Sequence, residues 1–118
     1  MHLRWGLWLT VALAACTSSR AVLLAREGWQ AEQRGEVAQA VRLYEAASAG
    51  DSRQFAARLN WIRLRTQTPE GVEPAKLALE QLLKDDPDEP RVAAFAATWA
   101  LWQGDAVLAG QRLARARP

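Results

Sequence analysis

Small and apolar residues recur at helical spacing, and three stretches of the chain share one arrangement of them. In each stretch a small residue is followed by a second small residue about five positions later, then by apolar or small residues four and seven positions beyond that. The copies are offset by about 35 and 34 residues, close to the period of a helix-turn-helix repeat. Their members are Gly35, Ala40, Tyr44 and Ala47; Glu70-Gly71, Ala75, Leu79 and Leu82; and Gly104, Ala109, Leu113 and Ala116.

A further helical segment precedes each copy, and turn signals separate the segments. Their apolar faces comprise Leu24, Gly28 and Ala31; Phe55, Leu59 and Ile62; and Ala93, Ala96, Ala97 and Ala100. Turn or helix-start residues lie at Gly35, 50–52, Thr68-Pro69, Glu73-Pro74, 86–90 and Gly104-Asp105. The pattern therefore predicts an all-α fold of six helices in three helix-turn-helix hairpins, with repeats at about 21–54, 55–88 and 89–118.

This arrangement resembles the tetratricopeptide repeat (TPR) family. The matching residues are Gly28, Gly35, Ala40, Tyr44 and Ala47 in the first copy, Leu59, Ala75 and Pro87 in the second, and Gly104-Asp105 and Ala109 in the third. The resemblance implies that residues 21–118 stack as a short right-handed TPR-like α-solenoid. Arg63 and Ala97 stand where the first copy has Gly28, so Sel1-like and other α-hairpin solenoids remain open.

The first fifteen residues have the pattern of a secretory signal peptide. A short basic start, Met1–Arg4, precedes an apolar run, 5–15, that is too short to cross a bilayer core of about twenty residues. The run ends in Leu13-Ala14-Ala15-Cys16, which resembles the lipobox of bacterial lipoproteins. That resemblance implies cleavage before Cys16, a diacylglycerol and an N-acyl chain on its sulfur and nitrogen, and a short tether over 16–20.

Two alternatives to lipidation remain open, a plain secreted protein cut near Ala15 and a cytosolic protein whose Cys16 is buried. Under the lipoprotein interpretation, Thr17 is not the aspartate that retains lipoproteins in the inner membrane of enteric bacteria. We therefore expect an outer-membrane lipoprotein that faces the periplasm. The formal charge is +2, with acids and arginines spread over the same helices, and such a surface does not predict nucleic-acid binding.

The TPR resemblance also implies a concave groove lined by the first helices of the hairpins. The candidate partner-binding residues there are Trp29, Asn60, Trp61, Leu64, Phe95 and Trp102, of which Trp61 and Trp102 are favoured because tryptophan is a frequent interface anchor. The alternative is that these rings fill gaps between alanines in a thin core, and Trp99 is assigned to the core.

Residues for catalysis or metal binding are scarce in the sequence. The only histidine, His2, leaves with the signal peptide, and the only cysteine is acylated, so we expect no catalytic or metal site and no cofactor beyond the acyl chains. The acidic run Asp85, Asp86, Asp88 and Glu89 is interrupted by prolines and is typical of helix caps and turns.

Taken together, these features predict a non-enzymatic adaptor or assembly factor for an envelope machine: secretion, pilus, cell-wall or outer-membrane biogenesis. Its partners would be the membrane, through the lipid, and envelope proteins, through the groove. One alternative is a structural subunit of a larger envelope complex that associates, with itself or a partner, through its last hairpin. Another is a regulator that activates a cell-wall enzyme by contact.

Overall fold

The computed structural model describes residues 19–116, and within them all regular structure is helical, as the sequence pattern predicts. The signal segment, Cys16 and the first part of the tether lie outside the described residues. Six helices are present in the described part: α1 over 19–33, α2 Val37–Gly50, α3 Phe55–Arg65, α4 Pro69–Asp85, α5 Pro90–Trp102 and α6 Ala106–Ala116.

The chain divides into two compact units, one up to Trp61 and the other from Ile62 onward. The first unit contains α1, α2 and the start of α3, and the second contains the end of α3 with α4, α5 and α6.

The first unit is built on a close approach between α1 and α2. Tyr44 on α2 is fully buried, and its ring lies so near Gly28 on α1 that a Cβ at Gly28 would stand 2.8 Å from Cε1 of the ring. The Tyr44 hydroxyl donates a hydrogen bond of 3.0 Å to Oε1 of Glu32, also on α1. Because a buried hydroxyl needs a partner, this bond allows a polar aromatic residue to occupy the core.

The turn between α1 and α2 depends on Gly35. Its φ of +77° lies in the left-handed region, where a side chain is strained. The N–H of Gly35 donates to the Glu32 carbonyl at 3.0 Å, and the N–H of Glu36 donates to the Ala31 carbonyl at 2.9 Å. This pair of bonds is a Schellman motif, which satisfies the last carbonyls of α1 and reverses the chain.

The turn between α5 and α6 repeats that geometry. Gly104 has a φ of +79° and donates to the Leu101 carbonyl at 3.0 Å, while Asp105 donates to the Ala100 carbonyl at 2.9 Å. Asp105 then caps α6, since its Oδ1 accepts a bond of 2.9 Å from the N–H of Leu108. The first and last hairpins therefore turn in the same way, at the positions that the sequence repeat aligns.

The middle connection departs from the repeat. Glu70 and Gly71, which the repeat aligns with the turn residues Gly35 and Gly104, lie inside α4. That helix begins at Pro69 with Thr68 as its N-cap, one of the two starts that the sequence predicts. A Cβ at Gly71 would overlap the carbonyl oxygen of Arg65, so this glycine permits a close backbone approach instead of a left-handed turn. Pro74, expected in a first turn, lies further inside the same helix and removes one intrahelical hydrogen bond there.

The positions that the sequence repeat predicts to be buried are buried in the first two copies and only partly in the third. Ala40, Ala75 and Ala109 are equivalent, and all are buried. At the next apolar position, Tyr44 and Leu79 are buried, whereas Leu113 is 54% exposed. The small residues thus occupy helix contacts throughout, while α6 buries much less of its surface than α2 does.

Candidate functional site

Three aromatic residues form a stripe along one face of α5 in the second unit. Phe95, Trp99 and Trp102 are spaced by four and three positions, which places them on the same side of a helix. Their burial differs along the stripe: Phe95 is half-buried, Trp99 is 8% exposed and Trp102 is 62% exposed. The stripe therefore leads from the core of the second unit to its surface.

A shallow apolar cleft lies at the exposed end of this stripe. Its lining residues are Thr66, Val72, Trp99, Trp102 and Gln103, and it encloses about 170 Å³. We call it the Trp102 cleft. The two indoles and Val72 make its surface largely apolar, while Thr66 and Gln103 supply polar side chains at its edge.

The rim of the Trp102 cleft is set by the ends of two helices, α5 and α3. Gln103 is the C-cap of α5, and its N–H donates to the Trp99 carbonyl at 3.1 Å. The Thr66 hydroxyl donates to the Arg63 carbonyl at 2.6 Å just after α3. Both polar residues are thus held at helix ends, which fixes the rim of the cleft while Trp102 extends into solvent.

A second cleft lies between α4, α5 and α6, and it shares Trp99 and Gln103 with the first. It encloses about 180 Å³, with an apolar floor that includes Leu79, Leu83, Ala96 and Leu108. Charged and long side chains from α4 and α6 stand around it: Lys76, Glu80 and Arg112. We call it the α4–α6 cleft.

The sizes of the two clefts favour one class of occupant. Sites for small molecules and cofactors usually measure about 300–1,000 Å³ and enclose most of the ligand. Each cleft here is well below that range. A space of this size suits a single side chain of a protein partner, and exposed tryptophans beside such pockets are frequent anchors of protein interfaces.

The six residues predicted for the groove divide evenly between the two units. Trp29, Asn60 and Trp61 belong to the first unit, and Leu64, Phe95 and Trp102 to the second. Trp29 is 55% exposed, and Asn60 and Trp61 are half-buried. Leu64 is only 4% exposed, so it presents almost no surface to a partner. Of the six residues, only Trp102 lines the Trp102 cleft, and none of them lines the α4–α6 cleft.

Sequence reasoning did not select Thr66, Val72 or Gln103, although all three line the Trp102 cleft. Val72 could have been selected from the sequence, because it is an apolar residue in the otherwise polar start of α4. In the structure it is 37% exposed. Thr66 and Gln103 carried none, since polar residues at helix ends are expected for reasons of capping alone. Trp99 is buried, in agreement with its assignment to the core.

Residues 19–116 also bear on metal binding, membrane spanning and ionisation. No group of three or more histidine, cysteine or acidic residues there is arranged to hold a metal ion. None of the helices in that range combines the length and apolar character needed to span a bilayer. At the start of α5, the Arg91 side chain donates a 2.7 Å hydrogen bond to Glu89 and lowers the pKa of that half-buried carboxyl.

Comparisons of the chain with protein-family models, with curated proteins and with solved structures gave no significant match.

Proposed function

We propose that the protein is a non-enzymatic adaptor, anchored by lipid on Cys16 to the periplasmic side of the outer membrane, which binds an envelope protein through the Trp102 cleft. The partner inserts an apolar side chain beside Trp102, and the polar rim residues Thr66 and Gln103 orient its backbone. The partner's class is a protein of an envelope machine for secretion, pilus assembly, cell-wall synthesis or outer-membrane biogenesis.

The observation that carries this proposal is the exposure of Trp102 at an apolar cleft. An indole that leaves 62% of its surface in water forgoes stabilisation that burial would bring. Trp99, one turn earlier on the same helix, is buried at the same cleft. The contrast favours a binding role for Trp102 over a role in the core.

The proposal includes the finer fold, a short right-handed TPR-like solenoid of three hairpins. Its support is the matching Schellman turns at Gly35 and Gly104 and the burial of Ala40, Ala75 and Ala109 at equivalent positions. The middle connection, where Gly71 is helical, is the departure from that repeat.

Crosslinking in the host tests the binding proposal with a matched pair of variants. Trp102→Ala removes the anchor, whereas Leu101→Ala truncates a neighbour that is equally exposed, at 59%, but does not line the cleft. We expect mild crosslinking and mass spectrometry to recover one dominant envelope partner from the wild type and from Leu101→Ala. Binding to that partner should fall by about thirtyfold or more in Trp102→Ala, as expected for an anchor residue.

The far-ultraviolet circular dichroism of Trp102→Ala should match that of the wild type, because an exposed residue contributes little to folding. Equal partner recovery by both variants would contradict the cleft proposal. The lipid anchor is tested separately by the intact mass of the protein purified from host membranes, which should show the acyl chains on Cys16.

A second candidate function, a structural subunit that associates through the last hairpin, has its own support. Leu101, Val107 and Leu113 are 59%, 74% and 54% exposed in that hairpin. Self-association would appear as a dimer or larger species in light scattering of the purified protein. If Val107→Glu abolishes self-association but retains crosslinking to the partner, self-association and partner binding belong to different surfaces.

A further inference from the structure

The first helix has an exposed apolar face that the adaptor function does not use. On α1, Val22, Leu23 and Trp29 are 53%, 55% and 55% exposed. Val22, Arg26 and Trp29 follow the spacing i, i+4, i+7, so they lie in line along one side of the helix. We call this side the Val22 face; its exposed members are Ser19, Val22, Leu23, Arg26, Trp29, Gln30 and Gln33.

The packed side of α1 is opposite this face. Ala21, Gly28 and Ala31 are buried there. The exposure of the Val22 face is therefore the consequence of an amphipathic pattern with three large apolar residues on the solvent side, where polar residues are the norm.

The charge on and beside the Val22 face is positive in sum. Arg26 lies in its centre, between Val22 and Trp29. Glu32 accepts the hydrogen bond from Tyr44 on α2 and so belongs to the packed side. Glu27 and Arg20 are exposed at the edge of the face next to Leu23, since Glu27 follows Leu23 by four positions and Arg20 precedes it by three. Apolar side chains with two arginines and one carboxylate around them, a net positive charge, are suited to the surface of an anionic bilayer.

The sequence also places this face near the proposed anchor. Only Thr17 and Ser18 stand between Cys16 and residue 19, which already belongs to α1. Three Cα–Cα steps of about 3.8 Å limit the separation of Cys16 from residue 19 to roughly 11 Å. Acyl chains on Cys16 would therefore hold α1 within reach of the lipid headgroups.

From these observations we infer that the Val22 face of α1 lies on the anionic phospholipid surface of the membrane that holds the anchor. The inference rests on the proposed lipidation of Cys16. Val22 and Leu23 enter the boundary between headgroups and acyl chains, the Trp29 indole occupies the headgroup level that tryptophan prefers, and Arg26 interacts with lipid phosphate. The acyl chains supply the attachment, and the face sets the orientation of the first unit on the membrane.

Quenching of tryptophan fluorescence by brominated lipid tests this contact, because bromine on a phospholipid quenches only indoles close to the bilayer. The protein purified from host membranes is reconstituted into vesicles of brominated phosphatidylglycerol and phosphatidylcholine. We expect the wild type to be quenched and Trp29→Phe to lose most of that quenching. The matched control is Trp102→Phe, which removes a similarly exposed indole from the second unit and should leave the absolute loss of fluorescence on bromination unchanged.

Charge dependence provides a second measurement on the same preparation. Arg26→Gln should shift the ratio of lipid-bound to detached α1 about fivefold toward the detached form, the effect of one basic residue near an anionic surface. Vesicles of brominated phosphatidylcholine alone, which carry no net charge, should also quench the protein less than vesicles that contain phosphatidylglycerol.

Two results would overturn the inference: quenching that survives Trp29→Phe, or quenching that depends on Trp102 instead. Intact mass on the same sample reports the anchor independently. Acyl chains on Cys16 together with unquenched Trp29 would reject the Val22 face and leave the anchor standing. An unacylated Cys16 would reject the anchor, while the comparison of Trp29→Phe with Trp102→Phe would still decide whether the face contacts lipid.

Discussion

The first and last hairpins share a turn but differ in how much of their second helix is buried. Gly35 and Gly104 make the same two Schellman hydrogen bonds, with nearly equal positive φ angles. At equivalent repeat positions, however, Tyr44 on α2 is fully buried and Leu113 on α6 is 54% exposed. The difference shows that the local sequence determines how a hairpin turns, whereas the burial of its helices depends on the neighbours that each helix finds.

The largest expected effect is on the free energy of unfolding, and it should distinguish Tyr44 from Leu113. Tyr44→Ala should lower the free energy of unfolding by about 3–5 kcal/mol, because it leaves a cavity beside Gly28 in a packed core. Leu113→Ala, at the equivalent exposed position, should change it by only about 0.5 kcal/mol. Urea denaturation of both variants measures the difference, and equal losses would show that the two helices are buried alike in solution.

The connection between α3 and α4 extends the comparison, because Gly71 there allows a close backbone approach and does not form a left-handed turn. Gly71→Ala should destabilise the protein by about 1–3 kcal/mol, since the added methyl overlaps the Arg65 carbonyl and backbone atoms move less readily than side chains. Gly110→Ala is the matched control: Gly110 lies inside α6 with no atom near its missing Cβ. That control should gain about 0.5–1 kcal/mol from helix propensity, and a similar gain at Gly71 would contradict the close approach.

Apart from the control variants, the smallest losses of stability are expected at the turns of Gly35 and Gly104, and the two losses should be equal. Gly35→Ala and Gly104→Ala each force a side chain into the left-handed region, which costs roughly 1–2 kcal/mol. Neither position has an atom within 4 Å of the added Cβ, so backbone conformation alone sets the loss. Unfolding free energies that differ by more than about 1 kcal/mol between the two variants would show that the turns are not equivalent.

The fold was predictable where local chemistry decides it. Gly35 and Gly104 mark turns because only glycine adopts that backbone conformation readily, and the buried Ala40, Ala75 and Ala109 follow from the repeat spacing. The role of Gly71 was not predicted, since the feature that requires it is the Arg65 carbonyl, a contact that the local pattern does not encode.

The candidate site was predictable only in part. Trp102 was selected because tryptophan is a frequent anchor, and the structure places it at a cleft. The same rule selected Trp29, which is exposed on α1, and Trp61, which is half-buried. Which indole meets a cleft depends on where α4 and α5 pack together, and the spacing of tryptophans along the chain carries no information about that packing.

The brevity of the glycine turns also has a kinetic consequence. Residues 34–36 and 103–105 are all that separate the paired helices in the first and last hairpins, so the contacts within each hairpin join positions close in sequence. Closing such short loops sacrifices little chain entropy, and helical proteins rich in local contacts fold in microseconds to milliseconds. Each of these hairpins should consequently assemble early, before contacts between distant parts of the chain are made.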